Sequence, residues 1–172
     1  DGHKDSVYRF AFSPDSKWLA SGDSEGVLLL WDLSSAAPPR TLATDQPSTG
    51  ELAFSPDGRS LASPRDGGTI TTWDVATGKP LPGELKHEGD VYELAVSPSG
   101  GVLVSSACEF PDPEARTLSR VWRLNCWRLA TGQKTASYEF NGLFGTAFSP
   151  NGEKLLLTSG EATLVWAWPT AE

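Results

Sequence analysis

The chain has 172 residues, and its 14 Lys and Arg against 22 Asp and Glu give a net charge of −8 at pH 7. Such an acidic chain lacks the positive surface that phosphate-driven binding requires, so no nucleic-acid partner is expected. No apolar run approaches the ~18 residues needed to span a membrane. Two cysteines are too few for a disulfide framework, which favours a reducing, cytoplasmic setting.

Ser-Pro dipeptides followed by turn residues recur four times along the chain. They begin at Ser13, Ser55, Ser97 and Ser149, at steps of 42, 42 and 52 residues. A tryptophan follows each turn at a related distance: Trp31 and Trp73 after 18 residues, Trp127 after 30 and Trp168 after 19. An internal repeat of this length decides the fold before any other feature does.

Each repeat predicts the same order of elements. Apolar runs before the turns, at 7–12, 91–96 and 143–148, have the length and alternation of half-buried strands. The Pro presets the turn and the following Asp or Asn bonds back to it, so a hairpin is expected. A short apolar second arm, a third arm ending on the Trp and a weaker fourth strand complete four antiparallel strands per repeat.

Gly2-His3, the Ser-Pro-Asp-Gly turns and the Trp-Asp ends at Trp31 and Trp73 together resemble the WD40-repeat propellers, most closely the bacterial members. The resemblance implies an all-β fold in which each repeat is one blade of a ring of about seven or eight blades. The expected blades are 1–45, 46–87, 88–140 and 141–172.

Counting strands predicts an incomplete ring. The first repeat has no outer strand before it, and the last stops after its third strand. The expected architecture is therefore a partial propeller of three complete blades and a three-stranded fourth, an open arc of about half a ring. Such a chain is expected to be a piece of a longer protein or one half of an assembled ring.

The resemblance also implies a hydrogen-bonded network that ties the loops of a blade together. Its members would be His3, Ser21, Glu25 and Trp31 in the first blade, and His87, Ser105 and Trp127 in the third. The second and fourth repeats depart from the pattern, with Asp45 and Glu139 at the His positions and Leu157 at a Ser position. The enzymatic alternative is a Ser, His and acid arrangement for acyl transfer. Because a unique active site would not recur in the third repeat, no catalytic residue is predicted.

The third repeat carries an insertion of about 12 residues at 107–119, on the face that holds the Gly-His loops. Phe110 is a candidate partner anchor there, and an elongated hairpin tip without a partner is the alternative. Arg116, Arg120 and Arg123 with Trp122 form a candidate patch for a carboxylate, a phosphate or a protein. Solvated strand positions beside buried Trp are the alternative reading of these residues.

Two cysteines, Cys108 and Cys126, lie on opposite arms of the hairpin that carries the insertion. The sequence leaves open whether they face each other. Neither has metal-ligand spacing, and no metal or cofactor is predicted.

The predicted function is a non-catalytic protein-interaction scaffold that presents loops and open blade faces to other polypeptides. Its expected partners are other proteins, the remaining blades of the same protein, or a second copy in a four-plus-four homodimer. The alternative is a regulatory or sensing region of a larger multidomain enzyme, such as a bacterial kinase or protease. A catalytic propeller is a third hypothesis.

Overall fold

Four antiparallel sheets follow one another along the chain in a computed structural model that describes residues 2–45, 50–109, 120–142, 145–159 and 162–168. The strands of the first sheet are β1 Val7–Phe12, β2 Trp18–Asp23, β3 Leu28–Asp32 and β4 Arg40–Ala43. Those of the second are β5 Ala53–Phe54, β6 Ser60–Arg65, β7 Thr69–Asp74 and β8 Leu85–Lys86. The third contains β9 Asp90–Val96, β10 Val102–Glu109, β11 Val121–Arg128 and β12 Gln133–Phe140. The fourth contains β13 Gly145–Phe148, β14 Lys154–Thr158 and β15 Thr163–Ala167.

Within each sheet the strands lie in chain order, as expected for propeller blades, and the strand numbers are four, four, four and three. This confirms the predicted fold class, a partial propeller of three complete blades and a three-stranded fourth. The part of the chain that the structure describes contains no helix long and apolar enough to cross a membrane.

The four Ser-Pro turns share one set of contacts. In the first, the buried Ser13 hydroxyl donates to the Asp15 carboxylate at 2.7 Å and accepts from the Trp18 backbone N–H at 2.9 Å. The Ser hydroxyls of the other turns contact the side chains of Asp57, Ser99 and Asn151 in the same way. Because the side chain bonds both arms locally, each turn fixes its hairpin without help from the rest of the blade.

The hydrophobic core lies between blades. In each of the three clusters, side chains from strands of one blade pack on the next blade. Leu28 and Leu30 of the first blade pack with Phe54 and Trp73 of the second, for example. Each blade therefore has a leading face that packs on the preceding blade and a trailing face that packs on the following blade.

The hairpin that carries the insertion is longer than predicted. Cross-strand pairing between β10 and β11 continues as far as Glu109 and Val121. Ala107, Cys108 and Glu109, assigned to the insertion from the sequence, therefore belong to strand β10. Phe110 and Arg116 lie outside the described residues.

Candidate functional site

The first blade holds a chain of hydrogen bonds along its loop end. The Trp31 indole N–H donates to the Ser21 hydroxyl at 2.8 Å, and that hydroxyl lies 2.7 Å from His3 Nε2. His3 Nδ1 lies 2.8 Å from the Asp23 carboxylate. Since a carboxylate only accepts, Nδ1 carries the proton and Nε2 accepts from Ser21. The structure therefore brings together three of the four predicted residues, joining a loop, β2 and β3.

The predicted acid, Glu25, is not part of this network, and this prediction was wrong. Glu25 is exposed in the turn after β2, whereas Asp23 is 2% exposed. Burial would raise the pKa of Asp23, but hydrogen bonds from His3 and from the backbone N–H groups of Val27 and Glu25 outweigh it and lower the pKa. The signal for Asp23 was its spacing of two residues from Ser21, which puts both side chains on one face of a strand.

The third blade builds a related network with a different third member. His87 Nε2 lies 2.6 Å from the Ser105 hydroxyl, which also accepts from the Trp127 indole at 2.7 Å. His87 Nδ1 lies 3.0 Å from the Asn125 amide nitrogen, and the amide oxygen accepts from Ser137 at 2.7 Å. Asn125 was missed from the sequence, although it lies two residues before Trp127 and so shares its face of β11.

Burial disfavours protonation of the histidine in the third network. His87 is 3% exposed, and its burial, with Lys134 and Arg123 nearby, lowers its pKa to about 4. The imidazole is therefore neutral at pH 7, with its proton on Nε2 because an amide nitrogen can only donate to Nδ1.

The second and fourth blades keep only parts of the pattern. In the second, the Trp73 indole donates to the Ser63 hydroxyl at 2.8 Å. In the fourth, the register pairs Trp166, not Trp168, with Leu155, in the place where Trp31 pairs with Leu19.

Trp168, the tryptophan predicted to end the fourth repeat, therefore lies two residues after the position equivalent to Trp31. Leu155 and its partner Trp166 are one residue closer in sequence than Leu19 and its partner Trp31, so Trp166 is the equivalent of Trp31. With Leu157 in place of a Ser, Trp166 packs instead on Tyr138 and Phe140, at ring-centroid distances of 5.0 and 5.5 Å.

Ser21, His3 and Asp23 have the hydrogen-bond order of a hydrolase triad, so their surroundings decide what they can do. A nucleophilic Ser must meet a substrate carbonyl at an open cleft beside hydrogen-bond donors for the oxyanion. Ser21 is 5% exposed, and its oxygen already accepts from Trp31. The same Trp-Ser-His order recurs in the third blade around the fully buried Ser105. The geometry therefore favours mutual satisfaction of buried polar groups, which stabilises the blade.

The described members of the predicted arginine patch are tied to the strands around them. Arg123 makes ion pairs with Glu109 at 3.0 Å and with Glu139 at 2.9 Å, linking β10, β11 and β12. Trp122 is half-buried, with its ring 5.3 Å from Tyr92. Arg120 is exposed at the start of β11.

The two cysteines do not face each other. Cys108 pairs across the sheet with Trp122, whereas Cys126 pairs with Val104. They are therefore about 13 Å apart along the strands, and both are free thiols. Burial raises the pKa of Cys126 to about 11. Among the described residues, no group of three or more His, Cys, Asp or Glu is arranged to hold a metal ion.

The leading face of the first blade is open. Phe10 is 70% exposed and Phe12 is 60% exposed. The corresponding residues of the second blade, Leu52 and Phe54, are 7% and 9% exposed because the first blade covers them. Tyr8, on the same face of β1, is also exposed.

The trailing face of the fourth blade is open as well. Leu156 and Val165 are exposed there, and they occupy the places of Ala20 and Leu30, which are buried in the first blade. The outer edge of β15 has no strand beside it among the described residues. The molecule therefore presents an aromatic face at one end and an aliphatic face at the other.

Comparison with known proteins gives a repeat match in the first blade and a shared fold. The model of the WD domain, G-beta repeat family matches residues 1–32, which include His3, Ser21 and Trp31. No curated protein matches the chain. A solved chain titled Kuenenia stuttgartiensis Hydrazine Synthase has the same fold, with a TM-score of 0.74 and 15% identity over 90% of this chain. The present chain spans 44% of the length of that one. The first blade therefore matches a WD40 repeat, and the four sequential blades give the chain the β-propeller fold.

Proposed function

We propose that this chain is a non-catalytic protein-interaction module whose principal contacts are made by its two open blade faces. The main support for the proposal is the exposure of Phe10 and Phe12. The equivalent residues of the second blade are buried because the first blade packs on them. Large exposed aromatic side chains grouped on one face, as Tyr8, Phe10 and Phe12 are here, mark an interaction surface.

The occupant that fits this face best is another blade. Leu156 and Val165 form the only other open face of propeller type in the described part of the chain. Inside the molecule, leading faces pack on trailing faces at three successive junctions. A second copy, placed head to tail, would cover both faces by the same packing and would give a ring of four plus four blades.

Light scattering on the purified chain at micromolar concentration tests this association. We expect a species larger than 18.4 kDa. The double substitution Phe10→Thr and Phe12→Thr should restore the monomer, since Thr keeps strand propensity but removes most of the apolar area. Leu81→Thr is the matched control, because Leu81 is exposed outside both faces. A parent chain that persists as a monomer and melts cooperatively would overturn the proposal.

A second candidate function is the regulatory or sensing part of a larger enzyme. What supports it is the likeness in fold to a solved chain more than twice as long whose title names an enzyme, hydrazine synthase. The mass of the native polypeptide tests it: a catalytic domain in the same polypeptide would favour this candidate, and further repeats alone would favour the first. A cytoplasmic location is part of the proposal, and the two buried free thiols support a reducing compartment.

A further inference from the structure

One position near the inner strand faces the gap between blades and holds a charged residue in three of the four blades. It lies four residues before the turn Ser and is occupied by Arg9, Glu51, Glu93 and Gly145. The Arg9 guanidinium is buried over Gly22 of its own blade, and it donates to the backbone oxygen of Pro64 in the second blade at 3.4 Å. A charged side chain at this position can therefore reach from one blade to the next.

Two acidic side chains occupy this position in consecutive blades. The backbone N–H of Glu51 donates to the Tyr92 carbonyl at 2.9 Å, which places Glu51 beside β9 and next to Glu93. Burial, together with the charge of Glu51, raises the pKa of Glu93 to about 7. Burial also raises the pKa of Glu51, although that residue keeps an exposed surface. In the described part of the chain, no basic side chain contributes to the environment that sets the pKa of Glu93.

Two buried hydroxyl groups beside Glu93 lack hydrogen-bond partners. Ser106 is 0% exposed and lies directly across the sheet from Glu93, so that both side chains project from the same face. Thr146, on β13 of the fourth blade, donates its backbone N–H to Glu93. The hydroxyl oxygens of Ser106 and Thr146 are buried without a partner among the described residues. Buried polar groups in native proteins are nearly always paired, so these two oxygens indicate a ligand.

We propose that Glu51, Glu93, Ser106 and Thr146 form a binding site for a calcium ion where the second, third and fourth blades meet. Carboxylate and hydroxyl oxygens are ligands for hard cations. Three of the groups lie on β9, β10 and β13, and Glu51 lies just before β5. Calcium accepts such irregular sets with water completing six to eight ligands, whereas magnesium demands near-octahedral geometry. The bound ion would offset the two negative charges and join three blades.

Thermal unfolding at pH 8 with and without calcium tests the site. We expect the parent chain to melt at a higher temperature in 2 mM CaCl2 than in a chelator with NaCl at matched ionic strength. Calorimetric titration should give a dissociation constant on the order of 10⁻⁴ M, as for calcium sites with few charged ligands. Glu93→Gln should weaken calcium binding at least tenfold, and Ser106→Ala should weaken it less.

Two controls separate loss of the site from loss of the fold. Glu84→Gln, at an exposed carboxylate paired with Arg65, should keep the full response to calcium. Glu93→Gln should melt no lower than the parent in chelator, because it removes a charge that burial and Glu51 disfavour. The proposal is overturned if calcium does not raise the melting temperature beyond the salt control, or if Glu93→Gln still responds. It is equally overturned if acidification to pH 6 stabilises the parent while calcium has no effect, since the carboxylates would then share a proton.

Discussion

The histidines of the first and third blades make similar hydrogen-bonded networks but carry their ring protons on different nitrogens. His3 donates from Nδ1 to Asp23, whereas His87 accepts at Nδ1 from Asn125. A carboxylate suits a histidine that donates, and an amide nitrogen suits one that accepts. The third member of each network therefore sets the tautomer of its histidine, and through it the direction of the bond to Ser21 or Ser105.

The assignment of the acid in the first blade leads to a test by two matched substitutions. Asp23→Ala should lower the free energy of unfolding by about 3 kcal/mol, because it leaves His3 and the backbone N–H groups of Glu25 and Val27 without their acceptor. Glu25→Ala should change it by less than about 0.5 kcal/mol, as an exposed substitution does. Urea denaturation measures both. Equal losses from the two variants would show that Asp23 does not have this role.

Residue types at repeated spacings could be assigned from the sequence, but the partners that complete each network could not. His3, Ser21 and Trp31 stand at the positions of a known repeat, and the structure joins them. Glu25 was chosen because it lies in the turn, where the repeat expects an acid. Only the strand register shows that β2 extends to Asp23 and that the turn begins after it.

At the scale of elements, the turns show how one repeat tolerates different residues. The position after Asp57, Ser99 or Asn151 is a Gly with φ between 68° and 78°. In the first turn the same position is Ser16, with φ of 58°. Its backbone N–H bonds to the Ser13 carbonyl at 2.9 Å, as Gly58 does to Ser55. The turn geometry is therefore imposed on Ser16 by the hairpin, at a cost that glycine avoids.

Replacing Ser16 relieves this cost. Ser16→Gly should raise the free energy of unfolding by about 0.5–1 kcal/mol, since glycine adopts positive φ without a steric penalty. Lys17→Gly, one residue later, is the control. Lys17 does not have positive φ, so glycine there should destabilise the chain by adding freedom to the unfolded state. Thermal unfolding of the two variants beside the parent measures both effects; a lower melting temperature for Ser16→Gly would contradict the assignment of strain.

The spacing of the turns predicted the strands because each turn depends on local residues. The end of β10 and the position of the last tryptophan depend on pairing between strands, which the sequence does not reveal. The insertion was placed at 107–119, but β10 keeps pairing until Glu109. The spacing predicts that the fourth repeat ends on Trp168, but the register places Trp166 there. Both differences arise in the connection between the second and third strands, where the length of the loop changes without changing the sheet.

In the molecule as a whole, the apolar side chains are buried at the junctions between blades. The first and fourth blades each leave one apolar face uncovered, whereas the second and third blades have both faces covered. The three apolar clusters each need two blades. The strand count predicted that two faces would be open, and the exposure of Phe10, Phe12 and Val165 agrees with it. The charges at the inner strands could not be predicted to meet, because Glu51 and Glu93 are 42 residues apart in sequence and become neighbours only when the second blade packs on the third.

Two side chains of the third blade, His87 and Glu93, make the stability of the chain depend on pH in opposite directions. The pKa of His87 falls from 6.5 to about 4 on folding, so only the unfolded chain binds its proton between these values. The His87 contribution to stability is therefore present above pH 6.5 and is lost as pH falls through 4, by up to about 3 kcal/mol. The pKa of Glu93 rises from 4.5 to about 7, so its contribution is present below pH 4.5 and is lost as pH rises through 7.

Urea denaturation from pH 4 to 8 in a chelator resolves the two contributions by substitution. Between pH 6.5 and 8 the parent should lose stability, because only the Glu93 side of the balance still titrates there, and Glu93→Gln should flatten this limb. Between pH 6.5 and 4 the two contributions oppose each other, so His87→Gln should gain stability as the pH falls, whereas Glu93→Gln should lose it. The carboxylates with lowered pKa, such as Asp23 and Asp57, act below pH 4 and leave this window unaffected. Parallel curves for the parent and both variants would mean that neither side chain is buried in the chain as it exists in solution, and the packing of the third blade on its neighbours would have to differ from that described.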